Sequence, residues 1–229
     1  MGIATKVMSH LVKTHIYKVS DIKHADIFIQ SYVNTYNYRG FIICDSSGKI
    51  ITNQNTKYIH QQFNSTDVFI SAQSFQQNNK LIGNKLRKYV ASLISHLTQI
   101  TCIDGESYLY GLTCLIPNIY AYTNSQSIYD DIKYNIKFTN CTCKYNLCDY
   151  NKINQIAQSP VCLINLSKLN QNLIQVINKS GFDKIIIISC HHDDFWKKIK
   201  LLSNYKIKFR KQFVDYSMGY FLTVTILFK

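Results

Sequence analysis

The six residues Lys184 to Ser189 read Lys-Ile-Ile-Ile-Ile-Ser and run directly into Cys190. Side chains on a strand point alternately to its two faces, so four consecutive isoleucines make a stable strand where both faces are covered. A parallel sheet with helices on either side gives that cover, and the flanking segments fit one. Gln99 to Ile103, Ile119 to Tyr122 and Val161 to Ile164 are short apolar segments that predict further strands. Between Asn84 and Leu97 the apolar residues Leu86, Val90, Leu93, Ile94 and Leu97 recur at helical spacing, with Lys85, Arg87 and Lys88 among them. Gly105-Glu106-Ser107 marks a turn into a helix reaching Leu115, closed by Pro117. Ser125 suits the N-cap of a helix to about Asn135, and Ile136 to Thr139 reads as extended. Leu169 to Asn178 predicts a helix that Gly181 terminates. Tyr205 to Val214 and Tyr220 to Phe228 predict a closing pair of antiparallel strands around a turn containing Gly219.

These patterns favour one core with an extension over two equal domains. The expected division is residues 1–82, an N-terminal extension leading into a catalytic-domain motif, and residues 83–229, a Rossmann-like domain. The chain holds 26 Lys and Arg against 13 Asp and Glu, a formal net charge of +13. An excess of that size suits a polyanion, with RNA the first candidate. On charge alone, Lys85, Arg87 and Lys88, with Lys80 before them, are expected to contact RNA phosphates at the mouth of a pocket. Joint over-use of Lys, Asn, Ile and Tyr also follows from an AT-rich gene, so charge supports RNA binding without establishing it. Eight cysteines without an N-terminal apolar signal point to a reducing, cytoplasmic setting. No window approaches about 18 uninterrupted apolar residues, so no membrane span is expected.

Short motifs in order narrow the reading. Phe69 to Asn79 reads Phe-Ile-Ser-Ala-Gln-Ser-Phe-Gln-Gln-Asn-Asn. It resembles the stretch ending Ser-Phe-Phe-Gln-x-Asn that introduces the catalytic domain of RNA uracil-5 methyltransferases, and four of the five specified positions match. Ile188-Ser189-Cys190 resembles that family's strand ending in Ser-Cys-Asn-Pro. Asn165-Leu166-Ser167-Lys168 stands in the place of its Asp-Pro-Pro-Arg, and Thr223-Val224 matches the last pair of its His-Val-Glu-Thr-Val. The resemblance runs from about Gly40 onward. It implies a Rossmann-like class I methyltransferase sheet, mostly parallel with a C-terminal antiparallel hairpin, S-adenosylmethionine as cofactor and RNA as substrate. It also implies cofactor contacts at Gln77, Thr101, Gly105, Thr123 and Asn165, with Phe75 beside the pocket. Cys190 takes the place of the family's nucleophile, which adds to C6 of uracil before the methyl group enters at C5 and a base removes the C5 proton.

The departures all remove carboxylates. The acid opening the cofactor loop stands as Thr101, the ribose-binding acid as Thr123, the fourth-motif aspartate as Asn165, and the general-base glutamate as Leu222. Ser107 stands where a second glycine is usual. A cofactor ribose needs an acid for its hydroxyls and the C5 proton needs a base, so the family mechanism does not carry over intact. Glu106 is a candidate substitute acid, with a solvated turn residue as the plainer alternative.

Cys190 stands at the carboxyl end of a parallel strand, where ligands bind in open α/β sheets, although a buried cysteine closing the strand is the plainer alternative. His191, His192, Asp193 and Asp194 could tune its thiol, hold a metal or start a helix. Helix start is preferred for the aspartates, because Asp193 suits an N-cap before Phe195 and Trp196. Cys141, Cys143 and Cys148 lack a second pair or a nearby histidine, so no metal is expected. Two functions stay open: an RNA uracil-5 methyltransferase, or an inactive protein of that fold binding RNA or a protein partner.

Overall fold

The computed structural model describes residues 3–7, 15–19, 41–44, 50–54, 58–63, 65–71, 74, 80–166, 169–189, 197–215 and 220–229. They form two compact units, Met1–Phe63 with Asp67–Ser74, and Asn64–Thr66 with Phe75–Lys229.

In the first unit β1 (Ile3–Val7), β2 (His15–Val19), β3 (Phe41–Cys44) and β4 (Ile50–Gln54) form an antiparallel sheet in the order β2-β1-β3-β4. A second pair, β5 (Tyr58–Phe63) and β6 (Thr66–Ser71), carries a 2.8 Å contact between His60 Nε2 and Asp67 Oδ1. The sequence reading contained none of these strands. Segments such as Ile3-Ala-Thr-Lys-Val mix polar and apolar residues over too short a length for periodicity to single them out.

The second unit is built on β7 (Gln99–Ile103), β8 (Asn118–Thr123), β9 (Thr142–Leu147), β10 (Val161–Asn165), β11 (Lys184–Ser189), β12 (Lys206–Asp215) and β13 (Tyr220–Phe228). They form one seven-stranded sheet in the order β12-β13-β11-β10-β7-β8-β9. Neighbours from β9 through β11 pair parallel, while β13 is antiparallel to both β11 and β12. β12 therefore runs with β11, and β13 alone opposes the rest. The chain moves outward from β7 to β9, then returns to β10 on the other side of β7. That reversal falls between β7 and β10, and open α/β sheets bind ligands at the carboxyl ends of the strands flanking such a switch. This is the Rossmann-like arrangement of class I methyltransferases, with the expected antiparallel C-terminal pair.

β11 is an interior strand, and Ile185 to Ile188 are each 0% exposed. Ile185 and Ile187 pack in a cluster with Leu173, Ile177 and Phe182; Ile186 and Ile188 take the opposite face. Complete burial of an isoleucine contributes about 1.5–3 kcal/mol, which is why the run is so strong a signal. The helices are α1 (Lys80–Ile94), α2 (Ser107–Thr113), α3 (Gln126–Asn135) and α4 (Gln171–Ser180). Asn170 caps α4 by accepting from the Leu173 N–H at 2.7 Å, and Gly181 ends it at φ 71°. Ser125 accepts from Ile128 to start α3. No helix among the described residues is long and apolar enough to cross a membrane.

Two expectations are corrected. α1 spans Lys80–Ile94 rather than Asn84 to Leu97. Ile136–Phe138 is a turn of 3-10 helix rather than extended, and the strand lies further on, at Thr142–Leu147. β9 is an edge strand with no fully buried residue, so it lacks the apolar pattern that marks the interior strands.

Candidate functional site

The chain leaves β7 through Asp104 and Gly105, both left-handed at φ 56° and 52°. Aspartate is among the few side chains that tolerate this conformation, and glycine meets no penalty there. The turn is held from several sides. The Asp104 N–H donates to the Tyr122 carbonyl at 2.8 Å, and the Ser107 N–H and hydroxyl donate to the Asp104 carbonyl at 3.1 and 2.6 Å. Thr123, at the end of β8, donates its hydroxyl to Asp104 Oδ1 at 2.8 Å and accepts from the Ser125 N–H at 3.0 Å.

The carboxylate of Asp104 therefore lies where β7 and β8 end. Burial raises its pKa, while hydrogen bonds from Thr123 and the Gly105 N–H act in the opposite direction. Tyr150, 4% exposed, donates its hydroxyl to the Tyr122 carbonyl at 3.1 Å beside this acid. Burial, then the nearby Asp104, push its phenol well above the usual range. The half-buried Cys148 thiol is raised by burial, then by Asp104 and Asp149.

Gly105 lies against the end of β10. A Cβ there would stand 2.6 Å from the Asn165 carbonyl oxygen and 2.9 Å from its Cγ, so only glycine fits. Asn165 is 8% exposed, and its Nδ2 is buried without a hydrogen-bond partner. An orphaned buried amide is costly unless something accepts from it. The structure thus brings together three expected cofactor residues, Gly105, Thr123 and Asn165, around an acid the sequence reading did not name. Asp104 was visible as an Asp-Gly pair directly after an apolar strand. Alignment to the family loop drew attention to Thr101 instead.

Thr101 lies within β7, is 0% exposed, and donates to the Ala157 carbonyl at 2.9 Å while sharing a 2.9 Å contact with Ser159. Its hydroxyl fastens the segment before β10 to the sheet. Glu106 is 3% exposed at the N-cap of α2, so it is not a solvated turn residue. Leu222 is 1% exposed on β13, opposite Phe213, which places a core side chain where the family has a base.

The basic residues separate. Lys85 and Lys88 are exposed on α1, and Arg87 donates to Asn84 Oδ1 at 3.4 Å. Lys88 lines a groove with Thr113, Cys114 and Leu115. Those residues lie at the C-terminal end of α2, roughly 10 Å along the helix from the Asp104 turn at 1.5 Å per residue. Lys88 therefore lies toward the end of α2 away from the Asp104 turn. Cys141 and Cys143 lie at the start of β9 and Cys148 beyond its end, separating Cys143 from Cys148 by roughly 16 Å at strand rise. Among the described residues no group of three His, Cys, Asp or Glu converges on a metal position. Phe75, Gln77, Cys190, the side chain of Lys80, and the run from His191 to Trp196 lie outside the described residues. Cys190 follows Ser189, which ends β11 and pairs with Thr223.

No protein-family profile matches the sequence, and no curated protein sequence matches it. Solved structures do share the fold. The tRNA (uracil-54, C5)-methyltransferase of Pyrococcus abyssi, in complex with S-adenosyl-L-homocysteine, superposes with a TM-score of 0.70 at 16% identity over 85% of this chain and 52% of its own. The M. jannaschii tRNA m1G37 methyltransferase gives 0.68 at 15% identity over 98% of this chain and 71% of its own. aTrm5 in complex with tRNALeu gives 0.68 at 14% identity, with the same coverage. This chain thus spans about half the length of the first and about seven-tenths of the other two. At these identities the likeness is one of fold, the Rossmann-like class I methyltransferase sheet.

Proposed function

We propose that this chain binds S-adenosylmethionine and RNA and is a methyltransferase of the uracil-5 type, slowed by the lack of a base at Leu222. The observation that carries the reading is the Asp104 carboxylate, hydrogen-bonded by Thr123 at the carboxyl ends of β7 and β8. The acid missing from position 123 is supplied by the neighbouring strand, close enough for the threonine to orient it. The site's donors and acceptors fit the cofactor. Asp104 offers a carboxylate to ribose hydroxyls, and the orphaned Asn165 amide offers a donor at the Gly105 turn. Gly105 lets the turn pack directly against Asn165, and Gln77 is assigned to the same cofactor by its motif. When bound, the cofactor supplies an electrophilic methyl group.

RNA as substrate is supported by the charge of +13 and by the tRNA-directed proteins that share the fold. The uracil-5 assignment rests on the motif match of Cys190, next in sequence after β11, whose thiolate would add to C6 of the base. A second reading, a non-catalytic module that binds RNA or a protein, is favoured by Leu222, a hydrocarbon side chain that cannot take the C5 proton.

Two measurements decide. Calorimetry with S-adenosylhomocysteine should show binding; none would remove the cofactor assignment. RNA containing 5-fluorouracil should then form a cofactor-dependent covalent adduct, because no C5 proton can leave, and Cys190→Ala should abolish it. Cofactor and RNA binding without an adduct would leave the non-catalytic module as the function.

A further inference from the structure

β12 is the outer strand of the sheet, and every residue from Lys206 to Gln212 is exposed. It reads Lys-Ile-Lys-Phe-Arg-Lys-Gln, with four cations and no acid. An edge strand is commonly guarded against other chains by lysines, so its charge alone has a plain explanation. Its aromatic residues do not. Phe209 is 51% exposed and Phe228, on the adjoining β13, is 40% exposed.

The register places these side chains. Lys206 pairs with Phe228, Phe209 with Ile226 and Lys211 with Val224, with the irregularity between Ile207 and Phe209 bringing Phe209 into line. Directly paired residues share a face, so Lys206, Phe209, Lys211 and Phe228 stand on one side of the sheet. Phe213 continues the row and meets Tyr89 of α1 at 5.7 Å, with Lys211 Nζ 4.1 Å from the Tyr89 ring. One turn before Tyr89 on α1 is the exposed Lys85. The row thus alternates cation and aromatic from the start of β12 toward the end of the sheet where β11 closes on Ser189.

We propose that this face of β12 and β13 is a track for single-stranded RNA, with a base stacked on Phe209 and phosphates on Lys206 and Lys211. The inference rests on the RNA reading above and assigns it a surface outside the cofactor site. Charge decides between occupants: the two lysines on this face, Lys206 and Lys211, suit a polyanion, and the exposed Phe209 between them suits an unpaired base. The track spans roughly 16 Å between Lys206 and Lys211 at strand rise, room for a few nucleotides.

The test is fluorescence anisotropy with a short labelled oligouridylate across a salt series, on the full chain. Phe209→Leu, which keeps an apolar side chain on the edge, should weaken binding by about tenfold, whereas Phe209→Tyr should retain it. Lys206→Ala with Lys211→Ala should flatten the slope of log affinity against log salt by roughly 1.4, the value for two lost phosphate contacts on a single strand. Circular dichroism melts establish that each variant is folded. If the wild type binds the oligonucleotide and these variants match it in affinity and slope, the track is wrong while the RNA reading stands. The edge would then be merely guarded by its lysines or covered by a protein. If the wild type fails to bind at low salt, the RNA reading falls and the track with it.

Discussion

Asp104 and Thr101 illustrate how a single residue's partners separate a site role from a fold role. Asp104 keeps a carboxylate at the carboxyl ends of β7 and β8 although burial raises its pKa, so the folded state holds the proton more tightly than the unfolded chain. Stability linked to this group is greatest below the ordinary aspartate value of 3.8 and is lost as pH rises through the raised one. Asp104→Asn should therefore melt no lower than the wild type at neutral pH, with any advantage shrinking as the pH falls. Its affinity for S-adenosylhomocysteine should drop about tenfold or more, as for loss of a hydrogen bond to a charged group. A lower melting temperature with unchanged affinity would make Asp104 a structural residue. Thr101→Val should behave in the opposite sense. It should lose about 1–3 kcal/mol of stability in denaturant unfolding, by orphaning the Ala157 carbonyl, with cofactor affinity unchanged. Family alignment offered Thr101 in place of Asp104 because motif spacing counts along the chain. Which hydroxyl is already occupied depends on a segment 56 residues away.

At the scale of elements, legibility followed burial. β7, β10 and β11 are apolar on both faces, and the sequence reading located each to within a residue, because nothing but a covered strand accommodates such runs. β9 escaped because an edge strand half open to solvent has no comparable signature. The first unit escaped because its strands are short and mixed. The start of α3 was legible where Ser125 caps it, whereas α4 runs Gln171–Ser180, two residues beyond the predicted Leu169 to Asn178. Asn170→Ala removes the 2.7 Å cap on Leu173 and should destabilise the protein by about 1 kcal/mol, read as a shifted midpoint in urea at constant slope. α1 carries no acidic residue in its first turn and no basic residue in its last, and its start was misplaced by four residues, from Lys80 to Asn84.

The whole sheet has an order of assembly that its topology imposes. β13 comes last in sequence yet sits inside the sheet, between β11 and β12. Its register ties Ile186 to Ile226 on one side and Arg210 to Thr225 on the other. A chain cut before Tyr220 should therefore be insoluble, or bind a hydrophobic dye strongly, because β11 would keep an open apolar edge; a soluble, cooperatively melting product would contradict the topology. The same arrangement bears on synthesis. A ribosome delivers β7 through β12 before the strand that joins the last two, so the nascent sheet must wait with a row of unpaired amides beside four isoleucines until residue 228 clears the exit tunnel. In that interval the lysines and arginine of β12 precede their own partner into solvent, and their mutual repulsion would hold waiting chains on neighbouring ribosomes apart.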